Sequence, residues 1–384
     1  MSKKTIQANF RAAIFSLVLF AGLFPCNTFS QVKSWSAELA RTLMERYPNP
    51  WDFGDPNWSY SHGHMLEGMD LVRRNGDPDS IYFDYIMSYA DRHIGESLGG
   101  KSMDNMMAGV VLCWAYDQTG DERYKTVADG IREKFNDYPR TSSGAFLHFE
   151  KLKGEFWIDG VFMGGMFLIR YGTHVGDTEY CYNEVANQLK LAHHHLSKGN
   201  NLLYHAWDED KDAPWADKQT GLSPEVWGEG LGWYSNILVE TLAVLPDKHP
   251  DRKILETHFD SLASGLKRFQ DQSGCWWNIV DKPNVDRNWT CVSASSFFVY
   301  ALQKGIDIGL LDPAVYQPVV EKGYKGILTK VELNDQNLVD VLGTCCCLPV
   351  QKSWDDYMNC PKVPNPKEGT SAFLWATAIV EKCR

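Results

Sequence analysis

The sequence has no excess of basic residues, and it has no apolar run long enough to cross a membrane. With 38 Lys and Arg against 49 Asp and Glu, its formal net charge is −11. Such a chain offers no basic stripe to replace the counterions of a phosphate backbone, so we expect no nucleic-acid partner. The apolar run 12–24 is shorter than the ~20 residues of a transmembrane helix, so we expect no membrane span.

Signatures of several enzyme classes are also missing. The chain has no G-x-S-x-G elbow of serine hydrolases, no H-E-x-x-H zinc motif and no G-x-G-x-x-G dinucleotide fingerprint. It has no Cys-x-x-Cys pair with a neighbouring His, which is the usual spacing of zinc ligands. We therefore expect neither a metal ion nor a cofactor. The cysteines, three of them adjacent at 345–347, do not form the disulfide framework of a small secreted domain, and one bridge involving Cys360 stays open.

Residues 1–30 have the pattern of a secretory signal. A basic start precedes the apolar run 12–24, and Thr28 and Ser30 provide the small residues found before a cleavage site. We expect export to the periplasm or the medium, with cleavage after Ser30. Residues 31–384 then form a single domain, and their oligomeric state is open.

Aromatic side chains are plentiful, at 13% of the chain with 14 Trp and 17 Tyr. Trp and Tyr stack on the apolar faces of sugar rings while their polar edges form hydrogen bonds. Core packing uses the same residues, so this enrichment alone is only suggestive of a carbohydrate ligand.

A short motif recurs along the chain and indicates helical hairpins. Gly-Asp pairs occur at 76–77, 120–121 and 176–177, each between two helical patterns. Glycine is typical of the residue after a helix, and aspartate of the cap of the next one. Apolar periodicity predicts twelve helices, in an outer set near 35–47, 79–94, 121–137, 177–197, 249–270 and 313–329 and an inner set near 60–75, 103–118, 159–174, 226–245, 292–308 and 370–382.

The second set is richer in apolar residues and glycine, which places it inside a ring. Six pairs at this spacing predict an all-α protein, an (α/α)6 barrel in which the inner helices share one direction. Their N-termini then gather at one mouth, where aromatic, acidic and histidine residues concentrate. Helix N-termini favour anions, so this mouth is the expected ligand site.

Two acids mark the starts of neighbouring inner helices. Asp159 follows Trp157, and Asp104 precedes the inner helix one hairpin earlier. A helix N-terminus favours the charged carboxylate, whereas a neighbouring indole disfavours it, and such opposed influences tune a proton donor. For each acid alone, helix capping is the competing interpretation.

Two histidines and a glycine-rich loop add further candidates. His148 lies shortly before Asp159 in the chain, and His205 lies in the stretch 203–208. Each is a candidate proton carrier or an ordinary structural histidine. The loop 227–234 brings Glu229 and Trp233 to an inner helix start, where its indoles either wall a sugar subsite or pack the helix ends.

Together these motifs resemble the unsaturated rhamnogalacturonyl hydrolases, glycoside hydrolase family 105, with the unsaturated glucuronyl hydrolases as more distant relatives. The resemblance covers nearly the whole mature chain and rests on an ordered set: Trp58-x-Tyr60-x-x-Gly63, Met103-Asp104-Asn105, 144–148, Trp157-x-Asp159-Gly160 with Met163, His205-x-Trp207-Asp208, Ser223-Pro224-x-x-Trp227-Gly228 and Gly232-Trp233. It implies a six-hairpin barrel that removes a 4,5-unsaturated uronic acid from oligosaccharides left by polysaccharide lyases.

The resemblance also assigns roles to individual residues. Asp159 becomes the general acid/base and Asp104 its partner, and the residues implied to line the −1 pocket are Tyr60, His148, Trp157, Met163, His205 and Trp233. The implied reaction is hydration of the C4=C5 bond, without a metal ion. Family members commonly have arginine and asparagine where this chain has Glu229 and Leu231. A glutamate is expected to repel a substrate carboxylate, which predicts an altered substrate.

Two other classes of function stay open from the sequence. A polysaccharide lyase or a sugar epimerase can use the same toroid with a Tyr/His or His/His proton-transfer pair. A catalytically silent carbohydrate-binding protein is the other alternative, because the loop arginine is missing.

Overall fold

Two sets of helices alternate along the chain. The computed structural model describes residues 32–55, 57–75 and 80–382. The expected signal segment 1–30 and the Gly-Asp pair at 76–77 lie outside the described residues, so both stay predictions.

The helix bounds agree closely with the sequence pattern. The outer set is α1 (Trp35–Arg46), α3 (Ser80–Arg92), α6 (Glu122–Glu133), α8 (Thr178–Leu196), α10 (Arg252–Phe269) and α12 (Pro313–Leu328). The inner set is α2 (Tyr60–Asn75), α4 (Asp104–Met107), α5 (Val110–Thr119), α7 (Ile158–His174), α9 (Gly228–Val244), α11 (Val292–Asp307) and α14 (Lys367–Glu381). A 3₁₀ turn over Pro50–Asp52 and the short α13 (Trp354–Met358) lie in connections.

The inner helices form a closed ring. Each packs on its neighbour in the order α2, α4/α5, α7, α9, α11 and α14, and α14 returns to α2. The outer helices pack on this ring, with α1 against α14. The residues from Ser34 onward form one compact unit. The predicted (α/α)6 toroid is confirmed. Within the described part of the chain, no helix is both long enough and apolar enough to span a membrane.

The predicted inner helix 103–118 is interrupted at its second turn. Ala108 and Gly109 separate α4 from α5, and the Gly109 N–H donates to the Met106 carbonyl, three residues back rather than four. Glycine is required here because a Cβ on Gly109 would lie 2.6 Å from the Phe167 ring of α7. Close packing of neighbouring inner helices therefore accompanies the break that the apolar pattern did not show.

Of the two Gly-Asp pairs that the structure describes, the first forms both predicted caps. Gly120 ends α5 with a φ of +68°, and Asp121 caps α6 through the backbone N–H of Arg123. Asp177 precedes α8 but has no side-chain cap bond, and its carboxylate instead lies 2.6 Å from Arg132. The capping prediction is wrong at Asp177 because an ion pair to the neighbouring hairpin occupies the carboxylate.

Short antiparallel strands connect the helices, and the sequence did not predict them. They are β1 (Glu155–Trp157) with β2 (Ala206–Asp208), β3 (Trp276–Trp277) with β4 (Thr290–Cys291), and β5 (Val331–Leu333) with β6 (Val339–Val341). Two or three residues are too few to show an alternating pattern. β1 leads directly into α7 and β4 into α11, so these pairs fix where inner helices begin.

Candidate active site

Acidic side chains stand at the starts of four inner helices. Asp159, Glu229 and Glu368 are the second residues of α7, α9 and α14, and Asp104 is the first residue of α4. The charges of Glu368 and Asp159 both act on Glu229, which shows that these helix starts face one region. The predicted gathering of N-termini is therefore present, and it includes Glu368, which the sequence analysis missed.

Backbone pairing brings Asp104 and His148 together. The Met103 N–H donates to the His148 carbonyl at 2.9 Å, next to a bridge between Ser102 and Phe149. The His148 Nε2 then lies 3.6 Å from Asp104 Oδ1. Burial alone would lower the pKa of His148, but the nearby charge of Asp104 outweighs it and raises that pKa.

An aromatic stack holds the His148 ring. The Trp157 indole lies parallel to it, with ring centroids 4.5 Å apart and an interplanar angle of 9°. The indole Nε1 donates to Glu155 at 2.8 Å, which orients the stack. Gly160 leaves the space that the imidazole occupies, because a Cβ there would lie 2.8 Å from His148 Nδ1.

Asp159 lies at the entrance of α7, beside a buried histidine. Its Oδ2 is 3.0 Å from His205 Nε2, but neither atom has a well-formed hydrogen bond within the described residues. The helix cap position belongs to Trp157 and not to Asp159, so capping does not account for this acid. Asp159 thus has one carboxylate oxygen without a hydrogen-bond partner among those residues, at the mouth of the barrel.

His205 is supported from behind by Tyr357. Its Nδ1 and the Tyr357 hydroxyl lie 2.8 Å apart in a hydrogen bond, and both side chains are buried. The Ile158 N–H donates to the His205 carbonyl at 2.9 Å, which joins this histidine to the start of α7. Tyr357 comes from α13 and was not among the predicted site residues, because no motif surrounds it.

The pocket residues implied by the resemblance differ in their access to solvent. Tyr60 is 8% exposed, and its hydroxyl donates to Glu368. Trp233 is 1% exposed and packs edge-on against Tyr60, with centroids 6.4 Å apart, while Met163 is 3% exposed. Trp233 and Met163 are therefore more deeply buried than Tyr60.

Glu229 is fully buried. Ser293 Oγ donates to its Oε2 at 2.5 Å, and its Oε1 has no hydrogen-bond partner among the described residues. Burial, reinforced by the charge of Glu368, raises the pKa of Glu229 well above its ordinary value. The raised pKa disfavours the charged carboxylate, which reduces the expected repulsion of a substrate carboxylate. Leu231, which stands where family members commonly have asparagine, is a buried core residue.

The last connection supplies two more side chains that sequence reasoning missed. Lys367, the first residue of α14, places Nζ 4.7 Å from the Tyr60 ring centroid and forms an ion pair with Asp55. Cys347 is exposed and lies near Tyr60. Comparing the starts of the inner helices would have found Lys367.

The arrangement suits acid–base chemistry. It combines carboxyl groups in different environments, two buried histidines and aromatic faces within one mouth. In the part of the chain that the structure describes, no group of three or more His, Cys, Asp or Glu side chains is placed to hold a metal ion.

Comparison with known families settles the class of the protein. A model of glycosyl hydrolase family 88 matches residues 35–383. The chain belongs to this family. Family membership makes it a glycoside hydrolase, and it accounts for the toroid and for the motifs at its mouth.

Individual relatives agree with this assignment. A family 105 glycoside hydrolase from C. acetobutylicum has a similar structure, with a TM-score of 0.84 and 28% identity, covering 91% of this chain and 99% of that one. The unsaturated rhamnogalacturonyl hydrolase YesR of Bacillus subtilis is 26% identical, over 65% of this chain and 70% of its own. An unsaturated 3S-rhamnoglycuronyl hydrolase of Formosa agariphila is 27% identical, over 59% and 57%. The predicted relation to family 105 is confirmed.

Proposed function

We propose that this protein removes a 4,5-unsaturated uronic acid from the non-reducing end of oligosaccharides produced by polysaccharide lyases, after export to the periplasm or the medium. The names of the two curated relatives support this substrate class, since one describes an unsaturated rhamnogalacturonyl substrate and the other an unsaturated 3S-rhamnoglycuronyl substrate. A rhamnogalacturonan-type or related chain is therefore the proposed substrate.

The position of Asp159 carries this proposal. Its Oδ2 has no hydrogen-bond partner among the described residues, and it is held 3.0 Å from a buried His205 that is itself hydrogen-bonded to Tyr357. Trp157 and His148 stack beside it. A carboxyl in this setting is positioned to exchange a proton with a ring bound across the stack.

The reaction is a hydration. The C4=C5 bond of the substrate is an enol ether conjugated to a carboxylate, so Asp159 protonates C4 and positive character moves to C5 and the ring oxygen. Water, deprotonated by the same carboxyl or by Asp104 through His148, adds at C5. The resulting hemiketal opens and releases the remaining sugar. General acid–base catalysis of this kind contributes about 10²–10⁴-fold to the rate.

Lys367 is the proposed contact for the substrate carboxylate. It lies at the N-terminus of α14 beside Tyr60, with Nζ 3.7 Å from Glu368. The helix N-terminus adds N–H groups that favour an anion. Because burial raises the pKa of Glu229, its repulsion of a substrate carboxylate is reduced, and the mouth can accept one without the loop arginine of other family members.

The proposal is tested by loss of ultraviolet absorbance on a panel of lyase-generated oligosaccharides from pectin, glycosaminoglycan, ulvan and arabinogalactan. The conjugated double bond absorbs and its hydrated product does not. We expect the protein to bleach at least one member, and Asp159→Asn to abolish bleaching while substrate binding is retained. Asp335→Asn, at an exposed position, serves as the matched control.

Other outcomes identify the alternatives. Turnover that is unchanged by Asp159→Asn would indicate a lyase or an epimerase. Binding without turnover by the unmodified chain would indicate a silent carbohydrate-binding protein. Export is tested separately by N-terminal sequencing of the secreted chain, which we expect to begin at Gln31.

A further inference from the structure

Two cysteines of the connection before α14 are in contact. The Sγ atoms of Cys345 and Cys360 lie 2.7 Å apart, and both residues are buried, with exposures of 0% and 5%. A small rotation of either side chain brings the sulfurs to a bonding distance of about 2.05 Å. The adjacent thiols differ, because Cys346 is half-buried and Cys347 is exposed.

The backbone on both sides of this contact is already paired. The Cys346 N–H donates to the Pro361 carbonyl at 3.3 Å, and the Thr344 hydroxyl donates to the Val363 carbonyl at 3.3 Å. The Cys346 carbonyl also accepts from both thiols, Cys345 at 3.3 Å and Cys360 at 3.4 Å. The two cysteines are thus held side by side at the base of a loop that spans 345–360.

That loop carries residues of the candidate site. Tyr357, whose hydroxyl is hydrogen-bonded to His205, lies in α13 within the loop. Its carbonyl also accepts from the buried Asn278 side chain at 3.4 Å. Cys347, on the other side of the loop, lies beside Tyr60. A bond at the base of the loop would therefore restrain the groups that surround Asp159.

We propose that Cys345 and Cys360 form a disulfide bond that closes the loop 345–360 over the mouth of the barrel and fixes Tyr357 behind His205. The thiols react by exchange with a small disulfide such as oxidised glutathione. One protein thiolate attacks it and releases one glutathione thiol, and the second protein thiolate then displaces the other. The protein loses two electrons and two protons, and two glutathione molecules leave reduced.

The bridge itself does not depend on the proposed hydrolase activity, whereas its effect on Asp159 rests on the proposed function. The first test is therefore chemical. The full chain is equilibrated with oxidised glutathione, alkylated under denaturing conditions, digested with trypsin and analysed by mass spectrometry before and after reduction. Cys345 lies in the tryptic peptide 331–352 and Cys360 in the peptide 353–362.

We expect these two peptides to be joined before reduction and separate afterwards. The joined species should persist in Cys346→Ser and Cys347→Ser, and it should vanish in Cys345→Ser and Cys360→Ser. Free alkylation of Cys345 and Cys360 in the oxidised protein would overturn the proposal. A bridge that instead requires Cys346 or Cys347 would overturn the assignment.

A second measurement tests whether the bridge stabilises the fold. Reduction should lower the melting temperature of the native chain by about 3–6 °C, as expected for a bridge that closes a short loop in a protein of this size. Cys360→Ser should melt at the reduced temperature with or without reductant, and Cys346→Ser should respond like the native chain. An identical melting temperature for the oxidised and the reduced chain would contradict the stabilising role of the bridge. This test does not require hydrolase activity.

Discussion

The charge of His148 depends on its partner Asp104. Its pKa is raised because the charge of Asp104 outweighs the effect of burial. A histidine whose pKa is higher in the folded chain stabilises the fold below its unfolded pKa of about 6.5, and this contribution is lost as the pH rises through the folded value.

We therefore expect His148→Gln to destabilise the protein more at pH 5.5 than at pH 8.5. The loss of the Trp157 stack is common to both pH values, so the difference reports the charge of the imidazole. Urea unfolding at several pH values measures it, with the exposed His194→Gln as control. A destabilisation that is the same at every pH would show that the Asp104 interaction does not favour the protonated ring.

Glu229 also makes the stability of the fold depend on pH. Its pKa is well above the ordinary value because of burial and the charge of Glu368, so the folded chain holds a proton that the unfolded chain releases above about pH 4.5. This carboxyl therefore makes the fold less stable as the pH rises above that value.

Glu229→Gln should remove this dependence, because an amide keeps the hydrogen-bonding shape without the ionisation. We expect its gain in melting temperature to be larger at pH 8 than at pH 5, with activity retained. Calorimetry at both pH values tests this, against the exposed Glu332→Gln as control. A loss of stability that grows with pH would mean that Glu229 is ionised in the fold.

The candidate site could be predicted only in part. Asp104, Asp159, His148 and His205 stand in motifs next to helix starts, and the structure brings these four together. Glu368, Lys367 and Tyr357 belong to the final connection and to α14, where no motif marks them. The raised pKa of Glu229 follows from burial and from a neighbour more than a hundred residues away, and neither can be read from a single sequence.

Among the elements, the start of α7 is crowded. The strand β1 leads directly into this helix, and the side chain of His148 packs against Gly160. A Cβ on Gly160 would lie 2.8 Å from His148 Nδ1, whereas a Cβ on Gly130 of α6 would meet nothing within 4 Å. The two glycines therefore separate the effect of helix propensity from that of crowding at the site.

We expect Gly130→Ala to stabilise the protein by about 0.5–1 kcal/mol, since alanine lowers the entropy of the unfolded chain and suits a helix. Gly160→Ala should instead destabilise it by about 1–3 kcal/mol and lower kcat, because the imidazole must leave its stack on Trp157. Chemical denaturation and absorbance assays measure both. Equal stabilisation by the two changes would show that His148 has room to move.

The helical elements were predictable because their apolar period and caps extend over ten residues or more. The break between α4 and α5 and the three strand pairs were not. The break depends on the contact between Gly109 and Phe167, and the strands are two or three residues long. Both features are set by packing between segments that are distant in the chain.

For the whole molecule, one carboxylate of the last helix holds two outer helices in place. Glu381 of α14 accepts from the backbone N–H groups of Trp35 at 2.9 Å and Ser36 at 3.0 Å, and from the hydroxyl of Ser36 at 2.6 Å. Tyr324 of α12 donates to the same carboxylate at 2.7 Å. One side chain thus joins the first helix, the last helix and a third.

Glu381→Ala should lower the free energy of unfolding by about 1.5–3 kcal/mol, because hydrogen bonds to a charged acceptor are lost and partly buried donors stay behind. The exposed Glu321→Ala should change it by less than about 0.5 kcal/mol. Urea unfolding compares them. Equal effects would mean that this carboxylate does not hold α1 and α12 against α14.

The most direct test of the proposed hydration is to run the reaction in D₂O and to locate the deuterium in the released sugar by NMR. If Asp159 protonates C4, deuterium appears at C4, ultraviolet absorbance falls as the remaining sugar is released, and Asp159→Asn does neither. Release of a sugar that still holds its C4=C5 bond, with no deuterium at C4, would contradict the proposed mechanism.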